Sequence, residues 1–121
     1  MARVMVVDDE PDLRNLVRLI MEKKGFEVET AEDGEEFLSK VDDFGPDLVL
    51  LDVMMPGPTT KEILEKLKEK KKRPKVVLLT VVRFSDEEKE KLMKIGGVVD
   101  YITKPFDLQK LTDTVSQHLG N

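Results

Sequence analysis

The sequence has no cysteine and no tryptophan, and it contains a single histidine, His118. Without cysteine the chain can form neither a disulfide nor a thiolate metal site, which favours an intracellular protein with no redox role. The N-terminal apolar run, residues 4–7, is too short for a membrane span or a signal peptide and ends on acidic residues. We therefore expect a cytoplasmic protein that contacts no membrane. His118 falls in the last turn of a predicted helix, where the dipole favours it, and we assign it no role.

Neither positive nor negative charge dominates the chain. Charged residues make up 37% of the sequence, both signs are interspersed, and the net charge is −5. This pattern describes a solvated surface and argues against a general nucleic-acid binder. One basic run, residues 68–75, lacks interleaved aromatic residues and follows a predicted helix, whose C-terminal dipole lysines complement. We therefore expect no direct binding of nucleic acid through this domain.

The chain shows no linker, no low-complexity segment and no internal repeat. Its 121 residues, 40% of them hydrophobic, suit one domain with one core. We therefore expect a single domain over residues 1–121.

Short apolar stretches alternate with amphipathic stretches of helical spacing. Pro11 suits the first turn of a helix, and the pairs Thr59 with Glu62 and Ser85 with Glu88 form capping boxes at two later helix starts. Asp33 can cap another helix, and glycines at positions 25, 45 and 96 mark helix ends. The predicted strands cover residues 3–7, 26–30, 48–52, 76–80 and 98–103.

This alternation predicts an α/β fold in which a parallel sheet with right-handed crossovers carries helices on both faces. The second strand, residues 26–30, alternates apolar and charged side chains, so we place it at an edge of the sheet. With five βα units and one switch point between strands one and three, we predict a three-layer (βα)5 doubly wound sheet. Its expected strand order is the flavodoxin-like 2-1-3-4-5.

Three carboxylates end neighbouring strands in this arrangement. Asp8 and Asp9 follow strand one, and Asp52 ends the apolar run of strand three. Parallel strands end at one edge of the sheet, where such folds place their ligands, so these side chains come together there. They repel one another unless they share a cation, and oxygen ligands without His or Cys favour Mg²⁺.

Thr80 ends strand four, Lys104 follows strand five, and both reach the same edge. A carboxylate beside Mg²⁺ and a lysine can act as the nucleophile toward a phosphoryl group, which makes Asp52 the candidate for an aspartyl phosphate. Lys104 and the Thr80 hydroxyl are positioned to stabilise the phosphoryl oxygens as charge develops on them.

The combination of motifs resembles the response-regulator receiver domain of two-component signalling, of the chemotaxis-regulator type, over the full length of the chain. The matching segments are Asp8-Asp9, the apolar run that ends in Asp52 with Met55-Pro56-Gly57 after it, Thr80, and Tyr101-Ile102-Thr103-Lys104-Pro105-Phe106. The resemblance implies a phosphoacceptor switch rather than an enzyme, one that catalyses only its own phosphorylation and slow dephosphorylation.

The resemblance also implies a ligand set. Asp52 is expected to be the phosphoacceptor, Asp9 a direct Mg²⁺ ligand, Asp8 a ligand through water, and Met54 a ligand through its backbone carbonyl. The phosphoryl donor is expected to be a sensor histidine kinase.

Signal output is implied to pass through Thr80 and Tyr101 to the face made by the fourth helix, fifth strand and fifth helix. A downstream protein that the sequence does not identify is expected to read that face. The Lys104-Pro105 peptide bond is expected to be cis.

Some positions depart from the family pattern. Val81 follows Thr80 where the family usually has a small residue, which should narrow the path to Asp52, and Pro58 to Thr60 replace a commoner loop sequence. Met54 and Val82 stand where polar side chains can orient the hydrolytic water in the family, so we predict slow loss of the phosphoryl group.

Two other functions stay open. A haloacid-dehalogenase-like phosphatase also uses an aspartyl nucleophile after an apolar strand, but it needs a second Asp two residues later, where this chain has Met54. A degenerate receiver that serves only as a docking scaffold is expected to lose site residues, and this chain keeps them.

Overall fold

The computed structural model describes residues 2–53, 57–81 and 85–120, and in these ranges five strands alternate with five helices. The strands are β1 (Arg3–Val7), β2 (Glu27–Ala31), β3 (Leu48–Asp52), β4 (Lys75–Thr80) and β5 (Val98–Thr103). The helices are α1 (Pro11–Lys23), α2 (Gly34–Phe44), α3 (Thr60–Lys68), α4 (Asp86–Ile95) and α5 (Leu108–Leu119). No helix in the described ranges combines the length and the apolar character that crossing a bilayer requires.

The strands form one parallel sheet in the order β2-β1-β3-β4-β5, which confirms the predicted topology. Strand β2 lies at the edge as predicted but begins one residue later, at Glu27. The reason is that the Phe26 backbone N–H donates to Met21 O at the end of α1, so the ladder begins only with Glu27 N–H, which donates to Ala2 O.

The sheet is covered on both faces, which explains why its central strands are apolar throughout. Met5 and Val7 of β1 belong to a buried cluster that includes side chains of α2 and α3 and has Leu92 and Ile95 of α4 packed against it, whereas Val4 and Val6 belong to a second cluster with side chains of α1 and α5. All five residues of β3 are buried. The sheet is therefore held between two apolar layers, and the carboxyl ends of its parallel strands lie at the same edge.

The helix starts carry the caps that the sequence predicts. Thr59 accepts from Glu62 N–H and Ser85 accepts from Glu88 N–H, and in both cases the glutamate side chain closes a capping box. Asp33 caps α2 by accepting from the Glu36 N–H. Each such cap contributes about 1 kcal/mol.

Helix α4 is attached differently from the other four helices. None of its ten residues, all of which the structure describes, is buried, and only Leu92 and Ile95 are partly buried against the sheet. The helix ends at Gly96 and Gly97, both with positive φ values of 100° and 90°. It therefore lies on the protein surface with little apolar anchorage.

Candidate functional site

The carboxyl ends of β1 and β3 bring three acidic side chains together. Val7 pairs with Leu51 in the sheet, so Asp8 and Asp52 follow side by side. Carboxylate oxygens of Asp8, Asp9 and Asp52 lie within 4.8 Å of one another. Asp8 and Asp52 are only 1% and 4% exposed, whereas Asp9 is exposed to solvent. The predicted cluster is thus present in the structure.

Lys104 supplies the cation that faces this cluster. Its Nζ lies 2.8 Å from Asp8 Oδ2 and 3.4 Å from Asp52 Oδ2, with Glu10 Oε1 farther away at 3.9 Å. The Lys104 backbone N–H donates to Thr80 O at 2.7 Å, which ties the end of β5 to the end of β4. One lysine is therefore held against two buried carboxylates.

Burial and ion pairing act in opposite directions on Lys104. Desolvation by burial disfavours the ammonium, but the hydrogen bond and charge of Asp8 and the charge of Asp52 outweigh it. The pKa of Lys104 is therefore raised above its ordinary value. The side chain stays protonated throughout the physiological range and can meet an anionic ligand as a full positive charge.

Both the side chain and the backbone of Asp8 make hydrogen bonds. Its Oδ1 accepts from Glu10 N–H at 2.9 Å, its Oδ2 accepts from Lys104, and its backbone N–H donates to Ala31 O at 3.2 Å. Its carbonyl oxygen accepts from Arg14 Nη1 at 2.7 Å. Sequence reasoning missed Arg14, although a basic side chain in the first turn of a helix opposes the helix dipole and is a detectable anomaly.

Thr80 and Tyr101, the predicted switch residues, lie on the neighbouring strands β4 and β5. Thr80 ends β4, is 2% exposed, and is in register with Thr103. Tyr101 of β5 is half-buried, and burial raises the pKa of its phenol. Lys89 Nζ of α4 lies 5.7 Å from the centre of the Tyr101 ring, a contact that the sequence did not indicate.

The loops that follow β3, β4 and β5 begin at the sheet edge that carries the acidic cluster. The Lys104-Pro105 peptide bond is cis. Met54 and Val82, which the sequence analysis related to the ligand set and to water access, lie outside the described residues. Val81 is 59% exposed, and its predicted narrowing of the path to Asp52 stays a prediction.

An apolar groove adjoins the site along α1. Leu16 and Leu108 belong to the apolar faces of α1 and α5 but are 43% and 41% exposed, because they line this groove of about 650 Å³. The other lining residues are Glu10, Leu13, Val81, Lys104, Pro105, Phe106 and Asp107. The groove therefore runs from the sheet edge at Lys104 onto the protein surface.

The donor set at the sheet edge fits a hard divalent cation. Among the residues that the structure describes, the three clustered carboxylates outnumber the one ammonium of Lys104, and two of the acids are buried. Only oxygen donors are present among these residues, and Mg²⁺ prefers one or two carboxylates together with water and carbonyl oxygens. The residues thus suit Mg²⁺ better than Zn²⁺.

Residues 4–116 match the family described as response regulator receiver domain. The chain is 39% identical over 110 residues to the transcriptional regulatory protein TrcR of Mycobacterium tuberculosis, covering 90% of this chain and 42% of TrcR. It is 37% identical over 114 residues to the alkaline phosphatase synthesis transcriptional regulatory protein PhoP of Bacillus subtilis, covering 93% and 46%. The chain thus spans less than half the length of these curated relatives.

Two solved structures resemble the fold closely along their whole length. The chemotaxis protein CheY4 of Vibrio cholerae superimposes with a TM-score of 0.86 at 32% identity, covering 97% of this chain and 98% of CheY4. The response regulator TrrA of Thermotoga maritima, solved in complex with Mg(2+)-BeF, has a TM-score of 0.80 at 36% identity, covering 98% and 99%. Because the family match spans nearly the whole chain and the strand order agrees, this chain belongs to the response regulator receiver domains of two-component signalling.

Proposed function

We propose that Asp52 accepts a phosphoryl group from a phosphohistidine of a sensor histidine kinase, with Mg²⁺ bound by the neighbouring acids. Receiver domains interact with sensor histidine kinases, bind Mg²⁺ at an acidic pocket, and are in general signalling switches rather than enzymes. The observation that carries the assignment to Asp52 is its place in the cluster. It is the buried carboxylate at the end of β3, within reach of both a lysine and two further acids.

The environment of Asp8 supports different roles for the three acids. Both Asp8 carboxylate oxygens already accept hydrogen bonds, from Glu10 N–H and from Lys104, so we assign Asp8 a contact to Mg²⁺ through water. We assign direct contacts to Asp9 and Asp52, and a further one to the Met54 carbonyl, which lies outside the described residues. When bound, Mg²⁺ offsets the charge that accumulates on the carboxylates and the phosphoryl oxygens.

In this scheme an Asp52 oxygen attacks the phosphorus, the bond from phosphorus to the donor histidine nitrogen breaks, and an acyl phosphate forms. Lys104 is already at 3.4 Å from Asp52 Oδ2 as a protonated side chain, so it meets the phosphoryl oxygens without a prior proton transfer. We assign the Thr80 hydroxyl to a phosphoryl oxygen, because Thr80 ends the strand next to β3.

The test is incorporation of acid-labile phosphate from a histidine kinase or from acetyl phosphate. We expect labelling of the parent with Mg²⁺, and none in Asp52→Ala or after chelation. Asp43→Ala, which removes an exposed acid of α2, is the matched control and should label like the parent. Full labelling of Asp52→Ala would show that the phosphoacceptor is another residue.

For the output we propose that the new phosphoryl group draws Thr80 toward it, that Tyr101 turns inward, and that the face of α4, β5 and α5 changes for a downstream protein. Such a local event matters only if it biases an element with two arrangements, and the weakly anchored α4 suits this role. Amide shifts on adding beryllofluoride with Mg²⁺ should concentrate in residues 80–107. Shifts confined to residues 8–24 would contradict this output.

The two alternatives from the sequence are less well supported. A docking scaffold does not need a partly buried lysine that contacts two acids, and the same labelling experiment distinguishes it, because a scaffold takes up no phosphate. A phosphatase of the haloacid-dehalogenase type needs an acid where the chain has Met54. It would also release phosphate from substrates catalytically, whereas a receiver takes up one phosphoryl group per chain.

A further inference from the structure

Arg14 reaches back from helix α1 to the strand end that carries the acids. Its Nη1 donates to the Asp8 carbonyl oxygen at 2.7 Å, and the side chain is half-buried. Helical side chains lean toward the helix N-terminus, so a residue in the first turns of α1 is well placed to contact the preceding loop. A cation at this end of a helix opposes the dipole, so the contact with Asp8 must offset an unfavourable position.

The bonded carbonyl belongs to the peptide unit that joins Asp8 to Asp9. Strand β1 ends at Val7, so this carbonyl lies beyond the ladder and Arg14 replaces a strand partner. The rest of Asp8 is fixed by Ala31, Glu10 and Lys104. Once the plane of this peptide is also fixed, the direction in which the exposed Asp9 side chain leaves the backbone is set as well.

We propose that Arg14 is a positioning residue for the metal site: it holds the Asp8–Asp9 peptide so that the Asp9 carboxylate faces Asp52 before a divalent cation binds. This rests on the proposed function, because it takes Asp9 as a direct ligand of Mg²⁺. Arg14 contacts neither the phosphoryl group nor Asp52 in this scheme, so its effect falls on cation affinity and not on the rate of phosphoryl transfer at saturating Mg²⁺.

Arg14→Met tests this proposal, with Arg14→Lys as the conservative variant and Arg18→Met as the matched control. Arg18 lies one turn later on α1, where its only ion pair in the described residues is an exposed one with Glu22 at 4.0 Å. Mg²⁺ is titrated into each protein while the amide shifts of Asp9 and Asp52 are followed. Perturbing an outer contact of a metal ligand typically costs 10–100-fold in affinity, so we expect the half-saturating Mg²⁺ concentration of Arg14→Met to rise about tenfold.

Arg14→Lys keeps a cationic donor and should recover part of the affinity, and Arg18→Met should match the parent. At saturating Mg²⁺, labelling from acetyl phosphate should proceed in Arg14→Met within about twofold of the parent rate. A merely structural role for Arg14 would lower the unfolding midpoint without this separation between affinity and rate.

Half-saturation of Arg14→Met at the parent's Mg²⁺ concentration would overturn the positioning role while leaving the proposed function intact. If circular dichroism shows that Arg14→Met does not fold, Arg14→Gln replaces it, and unchanged Mg²⁺ affinity there would overturn the role equally. A parent protein whose Asp9 and Asp52 amides show no saturable shift with Mg²⁺ would instead overturn the metal site of the proposed function, and the role of Arg14 with it.

Discussion

The carboxylates at the two edges of the sheet have different surroundings. At the amino edge, where the strands begin, carboxylates meet cations or backbone N–H groups. Arg3 Nε lies 3.1 Å from Glu27, and Asp47 accepts from the Arg3 backbone N–H at 2.8 Å and faces Lys72 at 3.0 Å. Lys75 Nζ donates to the His118 carbonyl at 2.6 Å. Two lysines of the basic run 68–75 thus make contacts within the protein, and the absence of nucleic-acid binding stays a prediction.

At the carboxyl edge, Asp8 and Asp52 share Lys104, and a carboxylate oxygen of Asp9 lies within 4.8 Å of theirs. The difference shows that the same residue types serve two purposes within one small domain. Ion pairs join neighbouring segments at the amino edge, whereas the three clustered carboxylates at the carboxyl edge suit a divalent cation.

The largest difference between the two edges is expected when a lysine is removed from each, Lys104 at the carboxyl edge and Lys72 at the amino edge. Lys104→Met leaves two buried carboxylates without an ammonium, so we expect the free energy of unfolding near neutral pH without Mg²⁺ to fall by about 3 kcal/mol. Lys72 is 56% exposed, so Lys72→Met should cost at most about 1 kcal/mol. Urea denaturation of both variants measures the difference.

The same pair gives a pH dependence. The pKa of Lys104 is raised in the folded protein, so its stabilisation is complete below the ordinary lysine value of 10.5 and declines as the pH rises through the raised value. The stability gap between parent and Lys104→Met should therefore be constant at neutral pH and shrink only in that alkaline range. Equal stability of the two proteins at neutral pH would contradict the assigned ion pairs.

Binding of Mg²⁺ tests the carboxyl edge directly. Mg²⁺ at a hundred times its dissociation constant should raise the free energy of unfolding by about 2.7 kcal/mol. In Asp9→Asn this increase should largely disappear, while Asp43→Asn on the exposed surface of α2 should retain it. Thermal unfolding with and without Mg²⁺ measures the effect, and an equal response of both variants would place the cation elsewhere.

The carboxyl edge is also predicted to exclude the water that removes the phosphoryl group. Met54 and Val82 offer no hydrogen bond to such a water, so introducing polar side chains with Met54→Asn and Val82→Gln should speed dephosphorylation at least tenfold, or about 1.4 kcal/mol of barrier. Decay of the labelled double variant at the parent's rate, under equal Mg²⁺, would show that these side chains do not shield the acyl phosphate.

The smallest expected effect is at the amino edge. Asp47→Asn weakens the hydrogen bond from Arg3 N–H and the pair with Lys72, so we expect a loss of about 1 kcal/mol. The Arg3 N–H and Lys72 lower the pKa of Asp47 although burial opposes them, so its contribution is present above the ordinary value of 3.8 and is lost as the pH falls through the lowered one. Acid titrations of parent and variant should therefore converge only below that value.

Features set by residue type and spacing could be predicted from the sequence. The capping box of Thr59 and Glu62 depends on a three-residue spacing, and it is present. The meeting of Asp8 with Asp52 depends on strand order alone, because side chains at the ends of adjacent parallel strands must be neighbours. Local geometry and topology therefore accounted for the core of the site.

Features that depend on where long side chains extend could not be predicted. Arg14 reaches a carbonyl six residues back, and His118 Nε2 lies 3.0 Å from Asp100 Oδ2 of β5, a contact that connects two distant parts of the chain. The irregular register between β4 and β5 beside Val76 likewise has no counterpart in the apolar pattern. Such details follow from packing, which a single sequence does not display.

Helix α4 has no buried residue, which makes it a candidate for local opening without unfolding of the domain. Opening this helix exposes little beyond Leu92 and Ile95, so the free energy of opening it is far below that of unfolding the whole domain. We therefore expect the amide protons of α4 to exchange with solvent while both cores and the acidic site stay intact. The acidic site thus stands on a sheet buried on both faces, whereas α4 is a helix whose rearrangement we expect to cost little free energy.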